Sequence, residues 1–287
     1  MNARCKFCLW IITILLFNLN THAQTPSAKD TSDQAIITAQ LPKSQIIKPK
    51  KPKPITKEFS GGVRLNTDGW GIFIDKGWAK TDEIKTIDKF HDVLVAQIDF
   101  TEHRHPKEIK LTNTDNISNY NDKPKAYIYG KTNNFYALKL GFGKRKMIAG
   151  KPESGTVSIH WVYLGGLSAG LLKPYYLEAY VPQDNPSQLV KKEIKYSEET
   201  REAFLTQQLI VGGAGWTKGL GEIKLIPGIH VKTGLHFDFA ASAKTKLALE
   251  LGLNAELYSQ KIELMAEQKS YPYLFNGYVS IQFGKRY

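Results

Sequence analysis

Apolar and polar residues alternate along eight segments of the chain, and the clearest of these is 247–258. Leucine and alanine at the odd-numbered positions of that segment alternate with residues that include Glu250, Asn254 and Glu256. A period of two residues predicts a β-strand with one apolar and one polar face. The same pattern predicts seven further strands, at 59–65, 70–75, 93–101, 135–145, 157–171, 228–239 and 275–284.

The lengths of these segments suit strands that cross a lipid bilayer. A tilted spanning strand needs about 9–11 residues, and the first two segments reach that length only if the flanking turn residues extend them. In lipid a sheet must close, because an open edge would leave backbone groups unpaired. The sequence therefore predicts an all-β fold, a transmembrane antiparallel up-and-down β-barrel of about eight strands in which the last segment pairs with the first.

The connections between these segments alternate in length. The loops 102–134 and 173–227 are long and polar, whereas the turns after the fourth and sixth segments are short. Transmembrane barrels have short periplasmic turns and longer extracellular loops, so we expect both long loops on the outer side. Within the second loop, 198–209 is compatible with a short helix and 215–226 with extra strands.

The first 23 residues predict a secretory signal peptide. Arg4 and Lys6 flank the start of an apolar run that is too short for a spanning helix, and Ala23 is a small residue suited to cleavage. Cys5 and Cys8 are the only cysteines, and both lie in this segment. We therefore expect neither a disulfide nor a cysteine metal ligand in the mature chain.

Residues 24–57 predict an extended periplasmic linker that is rich in proline and lysine. Four prolines alternate with lysines between Pro42 and Lys57, and proline together with like charges keeps a chain extended. We favour a solvated linker over an arm that docks on an anionic or protein partner, because blocks of like charge are usually disordered. Residues 58–287 are then assigned to the barrel.

Composition and charge narrow the function classes. The chain is 42% hydrophobic with a mean hydropathy of −0.33, and it has no second apolar stretch that could be a spanning helix. The net charge of +12 falls to +10 when Arg4 and Lys6 are removed with the signal (12 − 2 = 10). We expect lipopolysaccharide phosphates or acidic envelope polymers as counter-charges, and no nucleic acid, because a secreted chain seldom meets it.

The polar face of the predicted strands carries charges of both signs in nearly equal number. An eight-stranded barrel is just wide enough for its own side chains, and unpaired buried charges are costly. We therefore favour a filled, ion-paired lumen over a conducting pore. The expected network consists of Arg64, Asp75, Asp99, Lys139, Arg145, Lys232, Asp238, Glu250 and Glu256, with His160, His230 and His236 beside it.

His103 and His105, just past the third strand on the outer side, are the strongest candidates for catalysis. A His-x-His pair can bind a metal, and a histidine beside an acid can act as a base. The chain has no HExxH motif, and histidines in a polar loop are mostly solvated. We expect no enzymatic activity, no catalytic or metal site and no cofactor.

Three stretches of the chain are typical of one known family. They are the hairpin 60–70, the strand 136–143 and the end 283–287. With a signal, a proline-rich lead and alternating strands, the chain resembles the outer-membrane β-barrel proteins of the Bacteroidetes, within the wider OmpA-like and porin-family barrels. In the last stretch, Lys285 and Arg286 are expected to interrupt the alternation before Tyr287. The resemblance covers about 59–287 and implies a barrel in the cell outer membrane without a catalytic motif.

The sequence leaves three function classes open. The favoured one is a structural or interaction component of the envelope, such as an accessory of a secretion or surface-assembly system. Its partners would be outer-membrane lipid and lipopolysaccharide, together with an envelope protein bound through the outer loops or the basic linker. A small-solute channel and, with less support, a surface hydrolase are the alternatives.

Overall fold

The computed structural model describes residues 55–79, 90–113, 123, 125–150, 156–182, 189–239 and 244–287. The expected signal peptide lies outside these residues, and so does the expected linker apart from its last three residues. The two short turns also fall outside them for the most part. The predicted strands can be compared with the observed ones in the described residues.

Eight long strands pair in antiparallel fashion and close into a barrel. In chain order, the strands of the described residues are β1 (Lys57–Asn66), β2 (Gly69–Ala79), β3 (Asp92–His103), β4 (Lys110–Thr112), β5 (Ala126–Ile128), β6 (Asn133–Ala149), β7 (Val157–Pro174), β8 (Tyr176–Pro182), β9 (Leu189–Lys195), β10 (Ile210–Gly213), β11 (Lys224–Phe239), β12 (Thr245–Ile262) and β13 (Tyr271–Arg286), and the α-helix is α1 (Arg201–Leu205). Around the barrel the order is β1, β2, β3, β6, β7, β11, β12 and β13, and β13 pairs with β1. The eight expected barrel strands are confirmed, and turn residues extend the first two to 10 and 11 residues.

The alternation continues without interruption to the end of β13. Phe283, Lys285 and Tyr287 are exposed on the outside, whereas Arg286 is buried in the lumen, where it forms an ion pair with Asp238. The expectation that Lys285 and Arg286 interrupt the pattern is therefore wrong. Lysine is accommodated on the outer face at the end of a strand because its long stem carries the charge to water.

The barrel carries its apolar side chains on the outside and its polar side chains on the inside. On β12, Leu251 and Leu253 are exposed, whereas Glu250 and Asn254 are buried. In water, an exposed apolar surface costs about 25 cal/mol for each Å². In lipid the same surface is favourable, while the polar groups pair with one another in the interior. This inversion defines a transmembrane antiparallel β-barrel.

The described parts of the two long loops form a small cap at the barrel end opposite Lys57 and Tyr287. A three-stranded sheet in the order β10, β8, β9 and a short hairpin of β4 with β5 form its framework. Its apolar core joins Tyr127, from the first loop, to residues of the second loop. The core residues are Tyr127, Leu177, Ala179, Ile194, Ala203, Phe204 and Ile210.

The prediction for the second loop is partly right. The helix compatible with 198–209 is confirmed as α1 and a short 3₁₀ turn that follows it. Extra strands at 215–226 are wrong, because the additional strands are β8, β9 and β10, and Lys224 already belongs to β11. The segment before Lys224 contains three glycines, and Gly219 has a φ of 78°, which favours a turn over a strand.

Backbone hydrogen bonds join the cap to the connection between β12 and β13. The amide of Ala266 donates to the carbonyl of Gly130 at 2.7 Å, and the amide of Thr132 donates to the carbonyl of Leu264 at 2.9 Å. Gly130 has a φ of 69°, a left-handed conformation that favours glycine at this crossing. The cap is therefore anchored on more than the four strands β3, β6, β7 and β11 that its two loops connect.

Candidate functional site

Polar side chains fill the lumen in three layers, and the outer layer is built around Glu256. The ammonium nitrogen of Lys139 lies 2.7 Å from its Oε1, and the hydroxyl of Tyr258 donates to its Oε2 at 2.5 Å. His103 lies between two carboxylates, with Nε2 3.3 Å from Glu256 Oε1 and Nδ1 2.8 Å from Asp68 Oδ2. The layer links strands β3, β6 and β12 across the lumen.

The position of His103 corrects one expectation. The strand β3 continues two residues beyond its expected end at Thr101, so the alternation directs the His103 side chain into the lumen, where it is 1% exposed. The view that both histidines of this segment are solvated is therefore wrong for His103. His105 lies in the loop, half-buried, and its Nδ1 accepts a hydrogen bond from the amide of Lys107 at 3.2 Å.

The middle layer is centred on the guanidinium of Arg64. Arg64 forms an ion pair with Asp99, and its charge lies between the rings of Phe73 and Tyr278, at 4.7 and 4.8 Å from their centroids. The hydroxyl of Tyr278 donates to Glu250 at 2.9 Å. Aromatic faces stabilise a buried cation on the sides that no carboxylate covers.

Lys232 extends the middle layer to the opposite wall. Its ammonium nitrogen lies 3.0 Å from Glu250 Oε1 and 3.0 Å from Gln97 Oε1. The amide of Gln97 in turn donates to Asp75 at 2.6 Å. Amide side chains therefore connect charges that do not meet directly.

The inner layer surrounds Glu58, which is 1% exposed. Its Oε1 forms an ion pair with Arg145 and lies 2.9 Å from the ammonium nitrogen of Lys246. Arg286 Nε lies 3.6 Å from Glu58 Oε2 and its Nη2 binds Asp238. This layer lies at the barrel end that carries the chain termini.

All nine residues expected in the lumen network have buried side chains on the inner face. The structure brings together Arg64 with Asp99, Lys139 with Glu256, and Lys232 with Glu250. Arg145 and Asp238 instead pair with residues that were not expected, and Asp75 is bound by the amides of Gln97 and Gln282. Of the three histidines, His236 contacts Arg145 and Glu250 at 3.0 Å, His230 contacts Ser168 at 3.1 Å, and His160 contacts the carbonyl of Phe90 at 3.2 Å.

Sequence reasoning missed Glu58, Lys246, Arg286 and His103 as lumen residues. Glu58 and Lys246 lie one residue before a predicted strand, and the other two lie two residues after the end of one. Each has the inward parity of its strand. Extending the alternation by two residues at each end would have found all four.

Opposite charges balance in the lumen. Six buried acids face six buried bases: Glu58, Asp75, Asp99, Asp238, Glu250 and Glu256 against Arg64, Lys139, Arg145, Lys232, Lys246 and Arg286. Burying a charge without a partner is costly, so this arrangement stabilises the closed interior only as a complete set. Among the described residues, these twelve formal charges sum to zero.

Apolar residues cover the polar layers on the outer side, and a second apolar cluster packs beside the inner layer. On the outer side, Phe135 packs edge-on against Tyr258 with ring centroids 5.1 Å apart, and Leu172 and Ile226 complete that layer. We call this group the outer seal. Near the inner end, Val93, Val95 and Leu164 form a second apolar cluster, with Phe90 packed against it.

The lumen offers no arrangement suited to catalysis among the described residues. The nearest is Ser168 with His230. Ser168 is the serine of a G-x-S-x-G match at 166–170, but this match lies inside β7 and not at the strand-to-helix turn that such a nucleophile needs. No carboxylate hydrogen-bonds to His230 within the described chain, and both side chains are buried under the outer seal. No group of three or more His, Cys, Asp or Glu in the described part of the chain is placed to hold a metal ion. In the same residues, no helix has the length and apolar character to cross a membrane.

The cap carries its own ion pairs. Glu178 on β8 lies 2.5 Å from the ammonium of Lys125 and 3.2 Å from that of Lys191. Burial alone would raise the pKa of Glu178, but hydrogen bonds from both lysines outweigh burial and lower this pKa below its ordinary value. Hydrogen bonds from Lys195 and Tyr176 likewise lower the pKa of Glu222. These pairs join the two long loops to each other, and the sheet of the cap to a second 3₁₀ turn, Leu220–Glu222.

Fold and site together define an eight-stranded transmembrane β-barrel with a filled lumen and a folded cap. No family model and no curated protein matches the chain. The chain is similar to the crystal structure of Neisserial surface protein A (NspA), with a TM-score of 0.34 and 9% identity over 81% of this chain and 96% of that one. It is also similar to the crystal structure of the N-terminal β-barrel domain of Pseudomonas aeruginosa OprF, with a TM-score of 0.29 and 8% identity over 81% of this chain and 97% of that one. The fold assignment rests on the strand pairing of this chain, and no role is transferred from either structure.

Proposed function

We propose that this protein is a non-enzymatic outer-membrane barrel that holds its folded cap at the cell surface, where the cap binds an envelope partner. The observation that carries this proposal is the combination of a filled lumen with a cap that has its own apolar core. Connections longer than about 12–15 residues are uncommon unless they are functional or disordered. The described parts of both loops are folded, which supports a binding role.

The proposed orientation puts the chain termini in the periplasm and the cap outside. Barrels of this class have short periplasmic turns and longer extracellular loops, and the cap arises from the two longest connections. An accessory role in secretion or surface assembly is the finer form of the proposal. The basic stretch at 24–57 is the alternative surface for a periplasmic partner.

Single cysteine variants test location and orientation, since Cys5 and Cys8 are the only native cysteines. Trp216 is 66% exposed in the cap, and Lys57 lies at the opposite end of the barrel. A membrane-impermeant maleimide should label Trp216→Cys in intact cells and Lys57→Cys only after the outer membrane is permeabilised. Labelling in the reverse pattern would contradict the proposed orientation. Recovery of both labelled variants in the soluble periplasmic fraction would contradict the proposed location.

A substitution in the cap core tests the binding role. Phe204 is 0% exposed, so Phe204→Asp should unfold the cap, whereas Glu202→Gln on the exposed side of the same helix should not. Cross-linking in intact cells should yield a specific adduct for the native chain and for Glu202→Gln, and none for Phe204→Asp. All three should keep the heat-modifiable mobility of a folded barrel. An adduct that survives Phe204→Asp but is lost on removal of 43–54 would assign the binding to the basic stretch.

The channel alternative requires the outer seal to open. Phe135 is 0% exposed, and beneath it the ion pair of Lys139 with Glu256 spans the lumen. Conduction would break such pairs without water to replace them, and that is unfavourable. The filled lumen therefore favours the anchoring role over transport.

A further inference from the structure

One row of paired residues on the lipid-facing wall has bulky ends and a small middle. Phe142, Gly165, Val231, Ala255 and Phe275 lie opposite one another on successive strands from β6 to β13. Because glycine and alanine stand between the two phenylalanines, the wall has an apolar groove with a volume of about 680 Å³. Known small-ligand sites have volumes of about 300–1,000 Å³.

Two lysines lie at the end of this groove that is nearer the chain termini. Lys144 lines the groove opposite Tyr163, and Lys146 follows opposite Trp161. The rings of Trp161 and Tyr163 have centroids 5.8 Å apart, and such aromatic pairs mark the interface of a membrane. Both lysines are exposed on the outer face, and neither ammonium group has a hydrogen bond or ion pair in the described chain.

We propose that this groove and the two lysines form a binding site for one glycerophospholipid of the periplasmic leaflet. An acyl chain lies in the groove between the two phenylalanines, and the phosphate is bound by Lys144 and Lys146. The lysine stems reach along the apolar wall to the interface, where the ammonium groups meet the phosphate in charge-assisted hydrogen bonds. The site is independent of the cap and of its partner.

The position of the lysines identifies the leaflet. Lys146 lies three residues before the end of β6 at Ala149, on the side of the short turns. Short turns belong to the periplasmic side of a barrel, so the phosphate belongs to a periplasmic-leaflet phospholipid and not to lipid A of the outer leaflet. Both lipids carry phosphate and acyl chains, and the experiment must separate them.

Gly165 allows the groove to be filled without disturbing the barrel. A Cβ at this position would lie 3.5 Å from the carbonyl oxygen of His230 and 3.6 Å from Val231 Cγ1, which is ordinary contact. The variant Gly165→Leu should therefore fold with a blocked groove. Gly61→Leu is the matched control, since Gly61 also faces outward, on β1, and its Cβ would meet only the carbonyl oxygen of Phe73 at 3.4 Å.

The headgroup contact is tested by the double variant Lys144→Gln/Lys146→Gln. Lys285→Gln is its control, because Lys285 is exposed on the outer face of β13, away from the groove. Native mass spectrometry of the full chain released from detergent should show one bound palmitoyl-oleoyl phosphatidylglycerol for each native barrel. We expect about tenfold weaker retention, or about 1.4 kcal/mol, in Gly165→Leu and in the double lysine variant, and unchanged retention in both controls.

Three results would overturn the proposal. Equal retention of a diacylglycerol without phosphate would show that the lysines bind no headgroup, and preferred retention of lipid A would assign the wrong leaflet. A native dimer that Gly165→Leu converts to a monomer would make the groove an interface between two copies of the chain. Heat-modifiable mobility verifies that each variant is folded, and Ala255→Leu replaces Gly165→Leu if the latter fails this check.

Discussion

Glu58 is the residue on which the inner layer of the lumen depends most. It forms an ion pair with Arg145, accepts from Lys246 at 2.9 Å, and lies 3.6 Å from Arg286. One carboxylate therefore contacts three buried cations, of which Arg286 also pairs with Asp238. Removing one partner of a buried ion pair is costly, because the remaining charge is left without compensation.

We expect Glu58→Gln to lower the free energy of unfolding by about 3–5 kcal/mol. Glu199→Gln is the matched control, since Glu199 is exposed and the same change there should stay within about 0.5 kcal/mol. A urea titration of both variants in detergent, followed by tryptophan fluorescence, measures the difference. Equal losses would show that Glu58 does not hold the inner layer together.

The outward face carries a second prediction at the residue scale. Leu251 lies on the lipid side in the middle part of β12, directly beside the inward-facing Glu250. Leu251→Arg should lower the free energy of unfolding by about 2–4 kcal/mol in a bilayer. Leu251→Phe keeps the apolar character and should cost much less. A similar loss for both variants would contradict the assignment of this face to lipid.

At the scale of elements, the alternating pattern predicts the barrel strands well because their two faces lie in opposite environments. Lipid on one side and paired charges on the other leave a period of two that survives along β12 from Lys246 to Tyr258. The ends of strands are harder to predict, because polar residues occur both in turns and at the last inward-facing position of a strand. Glu58 and His103 were missed for that reason.

The elements of the cap carry no comparable local signal. The strands β4 and β5 have 3 residues each, and β10 has 4, so none is long enough to show a period. A single residue, Tyr175, separates the end of β7 from the start of β8, so the sequence shows no clear break between these two strands. The core of the cap joins Tyr127 to Phe204 across a large separation in sequence, and a pattern confined to one segment cannot indicate such a contact.

The stability of the cap should decrease at acid pH because Glu178 becomes protonated. Because its folded pKa is lowered, the contribution of the lysine contacts is complete above the unfolded pKa, near 4.5, and is lost as the pH falls through the lower folded value. Hydrogen exchange of β8 and β9, corrected for intrinsic rates, should show Glu178→Gln less protected than the native chain between pH 5 and 7. That difference should shrink below about pH 4. A difference that grows as the pH falls would contradict this account.

At the scale of the whole molecule, the barrel and the cap are two parts with separate apolar cores. The barrel presents an apolar wall to lipid. Among the described residues its interior holds six acids and six bases, which the outer seal covers on the outer side. The cap has a separate core and uses the longest connections of the chain. This arrangement of a filled barrel and a folded cap is the basis of the proposed anchoring role.

Conductance in a planar lipid bilayer tests the central claim most directly, because a filled lumen has no continuous path for ions. The full-length barrel should give no unitary current steps at 100 mV in 1 M KCl. Phe204→Asp should also be silent, since the outer seal around Phe135 and the pair of Lys139 with Glu256 belong to the barrel and remain when the cap unfolds. Regular current steps from the native chain that scale with salt concentration would show an open lumen and contradict the anchoring role.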